Sequence, residues 1–271
     1  MNVKKINNVE IKPIQVEKVE KKDILGSELF DEIYANIFIC AKKKSGKSTV
    51  IYNIIKKCCD KRTKVIVFCS TYLKDANWKE IQTYLEKKEI ENEFYLSIYD
   101  EKKNVLQELV DTMQTEEEEE EIIKAQEEEE QEDRVILIND SEIRVSVKKR
   151  KPKKLSQRYM IIFDDLSQDL KDPSVSHLLK KNRHMKSKII ISSQYLNDIP
   201  PMSRRQIDVY LIFSGLNLEK LQEIYKNADL DLSFERFIDL YHDATSEKYQ
   251  FFYVDASNCN YRRCFNYQYI I

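Results

Sequence analysis

The chain has 271 residues, of which 42% are hydrophobic and 34% charged, and its formal net charge is −2. This length can bury a substantial core in one large or two small domains, and the composition indicates a charge-rich, soluble globular protein. The sequence has neither an 18-residue apolar run nor a signal peptide, which argues against membrane-spanning and secreted classes. Its six cysteines lack C-x-x-C spacing and it has only three histidines, which argues against a zinc site. We therefore expect a reducing, intracellular compartment.

Residues 1–34 are interpreted as a lead-in to the core. Within them, residues 3–19 alternate apolar with polar or charged side chains and predict one or two edge strands. Residues 23–34 predict a short helix.

The next stretch combines an apolar run, a lysine-rich loop and a helical apolar pattern. A strand is predicted over 36–41, a loop follows it, and Gly46-Lys47-Ser48 stands at the turn into a helix over 47–59. This arrangement is typical of a phosphate-binding P-loop, in which backbone N–H groups and the helix N-terminus surround an anion. In that interpretation Lys47 reaches the β- and γ-phosphates of ATP, and the Ser48 hydroxyl helps to hold Mg²⁺.

The loop departs from the usual pattern at its first position, where Ala41 replaces glycine. Alanine is small, but it takes a positive φ less easily than glycine. The alternative is a lysine-rich surface turn that contains Gly-Lys-Ser by chance, and the flanking strand and helix patterns argue against it. The predicted nucleotide-binding residues are Ala41, Lys42, Lys43, Lys44, Ser45, Gly46, Lys47, Ser48 and Thr49.

Strands and helices alternate after this loop. A buried strand is predicted over 64–69, an amphipathic helix over 78–88 and a shorter strand over 94–99. This alternation predicts an α/β fold with a mainly parallel central sheet flanked by helices.

A charged insertion is predicted over 101–157, within a single domain that spans 1–271. It begins with a helical apolar stripe, and its acidic block, 116–133, is typical of solvated helix or disorder but could also mimic nucleic acid or bind a basic partner. Residues 134–147 predict a β-hairpin. The basic run 148–154 fits a solvated linker as the simplest interpretation. A nuclear localisation signal and a DNA-backbone contact also fit, and the sequence does not choose between these two.

A second strong signal is an unbroken apolar run, Tyr159–Phe163, that ends in Asp164 and Asp165. Such a run is typical of a central strand buried on both faces, and ligands of open α/β sheets bind at the carboxyl ends of the strands. This is a Walker B pattern: Asp164 would hold Mg²⁺, and Asp165 would orient the attacking water. The alternative is a strand that simply ends in an Asp-Asp turn.

Another buried strand, 188–194, follows a helix predicted over 172–181, and it ends in Gln194. Gln194 is expected beside the aspartate pair, where it could hydrogen-bond the γ-phosphate or the attacking water as a sensor. The alternative is a glutamine that caps a turn.

Arg204 and Arg205 precede a further strand, 208–213. An arginine in this position could reach the nucleotide of a neighbouring subunit as an arginine finger, with Arg205 as a substitute for Arg204. The alternative is a surface arginine pair. The rest of the chain predicts two amphipathic helices and then two late strands, paired as an antiparallel hairpin, at 216–227, 234–243, 249–254 and 262–271.

Taken together, these stretches resemble the genome-packaging ATPases of large DNA viruses, virophages and related elements, including the poxvirus type, within the FtsK–HerA group of P-loop motors. The resemblance covers roughly 36–70 and 158–214, and Gln206 stands where the family usually has asparagine. The motifs that carry it are AKKKSGKST, YMIIFDDL, KNRHMKSKIIISSQY and IPPMSRRQID.

The resemblance implies an oligomeric ring that uses ATP and Mg²⁺ to drive double-stranded DNA into a capsid. Nucleotide would bind between subunits, Arg204 would act in trans, and capsid proteins would be partners. The expected location is the host cytoplasm or nucleus, with association with the virion as a further option. Two alternatives stay open: a small-molecule or nucleoside kinase, and a non-catalytic nucleotide-binding scaffold.

Overall fold

The structure, a computed structural model, describes residues 20–134 and 154–271. Its centre is a nine-stranded sheet in the order β11-β10-β9-β8-β1-β7-β6-β2-β3, and β4 and β5 form a separate pair. The strands are β1 (Asn36–Cys40), β2 (Lys64–Cys69), β3 (Asn92–Tyr95), β4 (Tyr99–Asp100), β5 (Lys103–Asn104), β6 (Tyr159–Asp164), β7 (Ser187–Ser193), β8 (Val209–Phe213), β9 (Phe251–Asp255), β10 (Asn260–Arg263) and β11 (Tyr267–Gln268).

The strands from β8 to β3 run parallel, and β9, β10 and β11 extend the sheet beyond β8 as an antiparallel meander. Every residue of β1, β6, β7 and β8 is buried, as their nearly continuous apolar sequences predict for strands covered on both faces. Because these strands are parallel, their carboxyl ends share one edge of the sheet. We call it the carboxyl edge.

Seven α-helices surround the sheet in the described part of the chain. Helices α1 and α2 pack on one face, and α3, α4, α6 and α7 pack on the other. The helices are α1 (Lys47–Cys58), α2 (Ala76–Lys87), α3 (Val105–Arg134), α4 (Pro173–Lys180), α5 (Pro201–Arg204), α6 (Leu218–Ala228) and α7 (Phe234–Ala244). The predicted α/β class, with a mainly parallel sheet flanked by helices, is confirmed.

The helix expected over 23–34 is wrong. A short 3₁₀ turn over Lys21–Asp23 ends at Ile24, which pairs with Leu155 in an isolated parallel bridge. Gly26 then takes a φ of 80°, and a methyl group placed on it would lie 2.3 Å from the Cys58 sulfur. Close packing against α1 therefore determines the path of this segment, and local helical preference does not.

The stripe and the acidic block expected in the insertion form one continuous 30-residue helix, α3. Its first turns belong to the core, because Leu106, Val110 and Met113 are buried against the sheet layer. Farther along, Arg158 contacts two glutamates of α3, Glu116 at 3.0 Å and Glu120 at 2.6 Å. The acidic sequence is thus held beside the sheet by ion pairs where it leaves the core.

The late strand expected over 262–271 is divided into β10 and β11, and Cys264, which follows β10, has a φ of 51°. The predicted edge strands at 3–19, the hairpin at 134–147 and most of the basic run at 148–154 lie outside the described residues.

Candidate active site

The loop between β1 and α1 contains two residues in the left-handed backbone conformation. Gly46 precedes α1 with a φ of 94°, and Lys44 has a φ of 63°. Ala41 is buried and its N–H donates to the Ser193 carbonyl at 3.2 Å, so it continues the β1–β7 ladder. Since the positive φ angles of this loop lie at positions 44 and 46, Ala41 does not need the conformation that glycine favours.

Lys47 brings the two sequence motifs together. Its Nζ lies 2.9 Å from Oδ1 of Asp164 and 2.6 Å from Oδ2 of Asp165. The Lys47 and Asp164 side chains are only 12% and 4% exposed. Burial alone would lower the pKa of Lys47, but the charges and hydrogen bonds of the two aspartates outweigh it and raise this pKa above its ordinary value. The lysine is therefore held as a cation at the carboxyl edge.

Asp164 is also held by a residue that the sequence interpretation missed. The indole Nε1–H of Trp78, in the first turn of α2, donates to Oδ2 of Asp164 at 3.0 Å. Trp78 is 1% exposed, and it is the chain's single tryptophan. A buried hydrogen bond to a charged group orients that group firmly. The single occurrence of tryptophan was the only signal in the sequence, and it does not identify a partner.

Asp165 takes a left-handed conformation with a φ of 54°. Its N–H donates to the Ser192 carbonyl at 3.1 Å, and its side chain is 34% exposed. Aspartate tolerates this backbone region better than most residues, and such conformations are frequent at functional sites. The turn separates the two carboxylates: Asp164 points into the buried side of the site and Asp165 remains accessible.

The residues present fit a nucleotide with Mg²⁺. Ser48 lies half-buried in the first turn of α1, and its hydroxyl and the Asp164 carboxylate are the hard oxygen donors that Mg²⁺ prefers. In the loop itself, the Ser45 hydroxyl is buried without a hydrogen-bond partner among the described residues. A buried unpaired polar atom is costly, and a phosphate oxygen could accept from it. The remaining predicted loop residues, Lys42, Lys43, Lys44 and Thr49, are exposed.

Gln194 follows β7 at the same edge. In the β6–β7 register Asp164 pairs with Ser192, so Gln194 lies two residues beyond the residue that pairs with Asp164. The half-buried Gln194 accepts a hydrogen bond at its backbone carbonyl from Lys220 Nζ, at 3.1 Å. Asp198 accepts from the hydroxyls of Ser193 and of Ser167, the latter at 2.9 Å, and so ties together the loops that follow β6 and β7.

The structure does not bring Arg204 to this site within one subunit. Arg204 lies before β8, near the opposite edge of the sheet, where the carbonyl of Gln206 accepts from the Asn36 side chain at the start of β1. Its side chain is 12% exposed, and its guanidinium donates to Glu223 Oε1 at 3.0 Å and through Nε to the Ile199 carbonyl at 2.7 Å.

Arg205, the proposed substitute, is exposed at the same end of the sheet. It lines an open polar groove together with Asp208 and Lys226. Neither arginine therefore contributes to the Lys47 cluster of its own chain.

Comparison with known protein families matches residues 119–268 to the family described as Poxvirus A32 protein. A viral relative, the "Uncharacterized protein 075L" of Invertebrate iridescent virus 6, is 34% identical over 102 residues. That match covers 36% of this chain and 39% of the relative, so the chain spans well under half of the relative's length.

Solved structures with the same fold include the genome packaging NTPase B204 from Sulfolobus turreted icosahedral virus 2. Its complex with AMP is 15% identical, covers 85% of this chain and 97% of that chain, and has a TM-score of 0.51. Its complex with AMPPCP has the same identity and a TM-score of 0.52. The DNA-packaging ATPase B204 from Sulfolobus Turreted Icosahedral Virus is 17% identical over 84% of this chain and 95% of that chain, with a TM-score of 0.51. At these identities the likeness shows a shared fold.

Among residues 20–134 and 154–271, the structure contains no helix with both the length and the apolar character that crossing a membrane requires.

Proposed function

The chain belongs to the Poxvirus A32 protein family, whose match covers more than half of its residues, and we propose that it is an ATP-hydrolysing motor that moves double-stranded DNA into a viral capsid. The predicted resemblance to packaging ATPases is confirmed at the level of the family. The observation that carries the proposed activity is the convergence of Lys47, Asp164 and Asp165 at the carboxyl edge of the sheet.

Nucleotide binding requires Lys47 to exchange its carboxylate contacts for phosphate oxygens. The loop supplies Gly46, the Ser45 hydroxyl and the N-terminus of α1 as further donors to the phosphates. Ser48 and Asp164 are the residues that would hold Mg²⁺, which neutralises negative charge on the phosphates when it is bound. Trp78 keeps the Asp164 carboxylate in a fixed orientation for that task.

Hydrolysis then depends on the accessible residues of the same edge. Asp165 is the residue that would orient the attacking water, since its carboxylate is partly exposed beside Lys47. Gln194 would contact the water or the terminal phosphate from the end of the neighbouring strand. Release of Lys47 from Asp165 on nucleotide binding frees this carboxylate as a hydrogen-bond acceptor.

A ring would provide the site with an arginine from the next subunit. In the described chain Arg204 is paired with Glu223, so acting as a finger requires this pair to open at the subunit interface. Duplex DNA would pass through the ring and capsid proteins would be its docking partners. This function places the protein inside the infected cell, in the host cytoplasm or nucleus.

The test is the ATPase rate of the wild type and Lys47→Ala with Mg²⁺, in the presence and absence of duplex DNA. A DNA motor should hydrolyse ATP faster with DNA, and Lys47→Ala should abolish turnover. A kinase should not respond to duplex DNA. If wild type and Lys47→Ala hydrolyse ATP equally slowly, the protein is a nucleotide-binding scaffold at most, and the proposed function is wrong.

The finger is tested by mixing subunits. Arg204→Ala and Asp165→Asn each inactivate a site, but a mixed ring contains some interfaces at which both native residues meet. Partial recovery of ATPase activity on mixing supports action in trans. No recovery at any mixing ratio contradicts the assignment of Arg204.

A further inference from the structure

Tyr249 lies against the phosphate-binding loop, although no sequence motif marks it. It precedes β9, and a methyl group placed on Gly46 would lie 3.2 Å from Tyr249 Cδ1 and 3.7 Å from its Cβ. Despite this proximity, the side chain is 56% exposed. An aromatic ring is therefore presented to solvent directly beside the glycine that begins α1.

The backbone of Tyr249 has an unfavourable conformation. Tyr249 has a φ of 70°, a region in which glycine or asparagine is usual and a bulky residue is an outlier. The turn around it is closed by Gln250, whose N–H donates to the Glu247 carbonyl at 3.3 Å and whose side chain donates to the Glu247 carboxylate at 2.9 Å. Strain of this kind is frequent where a side chain must be positioned for a ligand.

The order of the strands places Tyr249 on a particular side of the loop. The loop follows β1, with β7 and then β6, which bears Asp164, on one side and β8 and then β9 on the other. Phe251 at the start of β9 pairs with Phe213 at the end of β8, so Tyr249 lies at the carboxyl edge. A nucleoside triphosphate whose terminal phosphate points toward Asp164 extends its other end away from Asp164, and the β8–β9 side lies in that direction.

We propose that Tyr249 forms a stacking platform for the base of the bound nucleotide. This inference rests on the proposed function, since it requires a nucleoside triphosphate in the loop. Every base has a π-face, so an aromatic platform favours a nucleoside over bare polyphosphate without distinguishing adenine from guanine. The Lys248 ammonium, 4.8 Å from the centre of the Tyr249 ring, adds a cation on the same side of the site.

The experiment measures the affinities of ATP, GTP and inorganic tripolyphosphate by calorimetry, with Mg²⁺ present. Tyr249→Ala should bind both nucleotides about tenfold more weakly and bind tripolyphosphate as the wild type does, because only the base loses its contact. Tyr249→Phe should retain the wild-type affinities, because stacking uses the ring and not the hydroxyl. Both variants keep a Cβ, so the strain at position 249 is matched.

Two controls separate this inference from the proposed function. Tyr267→Ala removes another exposed tyrosine, 69% exposed, on β11, and should leave all three affinities unchanged. Lys47→Ala should weaken ATP and tripolyphosphate alike. Suppose that Lys47→Ala weakens binding of both ligands. If Tyr249→Ala then binds ATP with wild-type affinity, or binds tripolyphosphate more weakly by the same factor as ATP, the stacking platform is wrong although the nucleotide site is supported. If the wild type binds neither ATP nor tripolyphosphate, both proposals fail.

Discussion

Replacing Lys47 with methionine tests the cluster in the absence of nucleotide. Methionine keeps an unbranched apolar side chain but removes the charge that lies 2.9 Å from Asp164 and 2.6 Å from Asp165. At an effective dielectric constant of about 20, charges about 3 Å apart attract by roughly 5 kcal/mol per pair, and desolvation offsets much of this. Removing one partner of a buried pair costs about 3–5 kcal/mol, because the other charge is left unpaired.

We expect the lower end of that range for this cluster. Asp165 is 34% exposed and can be solvated by water, and Asp164 keeps its hydrogen bond from Trp78. The free energy of unfolding of Lys47→Met should therefore fall by about 3 kcal/mol at neutral pH, a shift of roughly 1 M in the urea midpoint. Urea denaturation without nucleotide or Mg²⁺ measures it.

The pH dependence gives a second readout. The pKa of Lys47 is raised in the folded state, so its stabilisation is complete below the ordinary value of 10.5 and is lost as pH rises through the folded-state pKa. The stability difference between wild type and Lys47→Met should be constant from neutral pH to about pH 10 and should shrink above it.

The matched control is Lys43→Met, which removes an exposed lysine from the same loop. It should change the free energy of unfolding by no more than about 0.5 kcal/mol, as is usual for surface substitutions. Equal urea midpoints for the wild type and Lys47→Met would refute the reasoning, since they would show that the lysine does not offset the buried charge of Asp164.

Further substitutions test other parts of the structure. Trp78→Phe removes the hydrogen-bond donor to Asp164 and should lower the free energy of unfolding, measured by urea denaturation, by about 1–3 kcal/mol. An unchanged urea midpoint would show that this hydrogen bond does not stabilise the fold. Glu223→Gln weakens the ion pair of Arg204 and should leave the steady-state ATPase rate equal or higher, whereas Arg204→Ala should lower that rate about 10³-fold. Equal losses of rate in the two variants would contradict an arginine finger. Lys188 is fully buried, and burial lowers its pKa below the ordinary value of 10.5. Between the lowered folded-state pKa and pH 10.5 the folded state binds fewer protons than the unfolded state, so stability should rise with pH in that window. Thermal unfolding of Lys188→Met should show no such rise.

Local sequence patterns were enough to place the strands and the helix that surround Lys47 and Asp164. The predicted bounds agree with the observed ones to within about one residue for β1, α1 and β6, the elements that carry or adjoin Gly46, Lys47 and Asp164. This succeeded because burial of a strand on both faces, the periodicity of a helix and the glycine at a left-handed position each leave a signature within a few neighbouring residues.

Patterns failed where packing competes with local preference. Residues 23–34 read as helical, but the fit of Gly26 against Cys58 determines their path. The helix expected as one interpretation of the acidic block is present in α3, but the ion pairs that hold it to Arg158 were not predicted. The composition of a segment indicates whether it is hydrophilic or hydrophobic. It does not show which charged or apolar side chains from distant parts of the chain pack against it.

The sequence by itself determined the class of fold, the strand, loop and helix around Gly46, and the aspartate pair that follows an apolar strand, because each depends on residues close together in the chain. Only the tertiary structure decided that β7 lies between β1 and β6, an order that brings Lys47 to Asp164 across more than a hundred residues. The same long-range pairing places Trp78 on the buried carboxylate, ties Arg204 to Glu223 and brings Tyr249 to Gly46. Such contacts depend on the order in which strands join the sheet, and that order is set by the packing of the whole core rather than by any segment of the sequence.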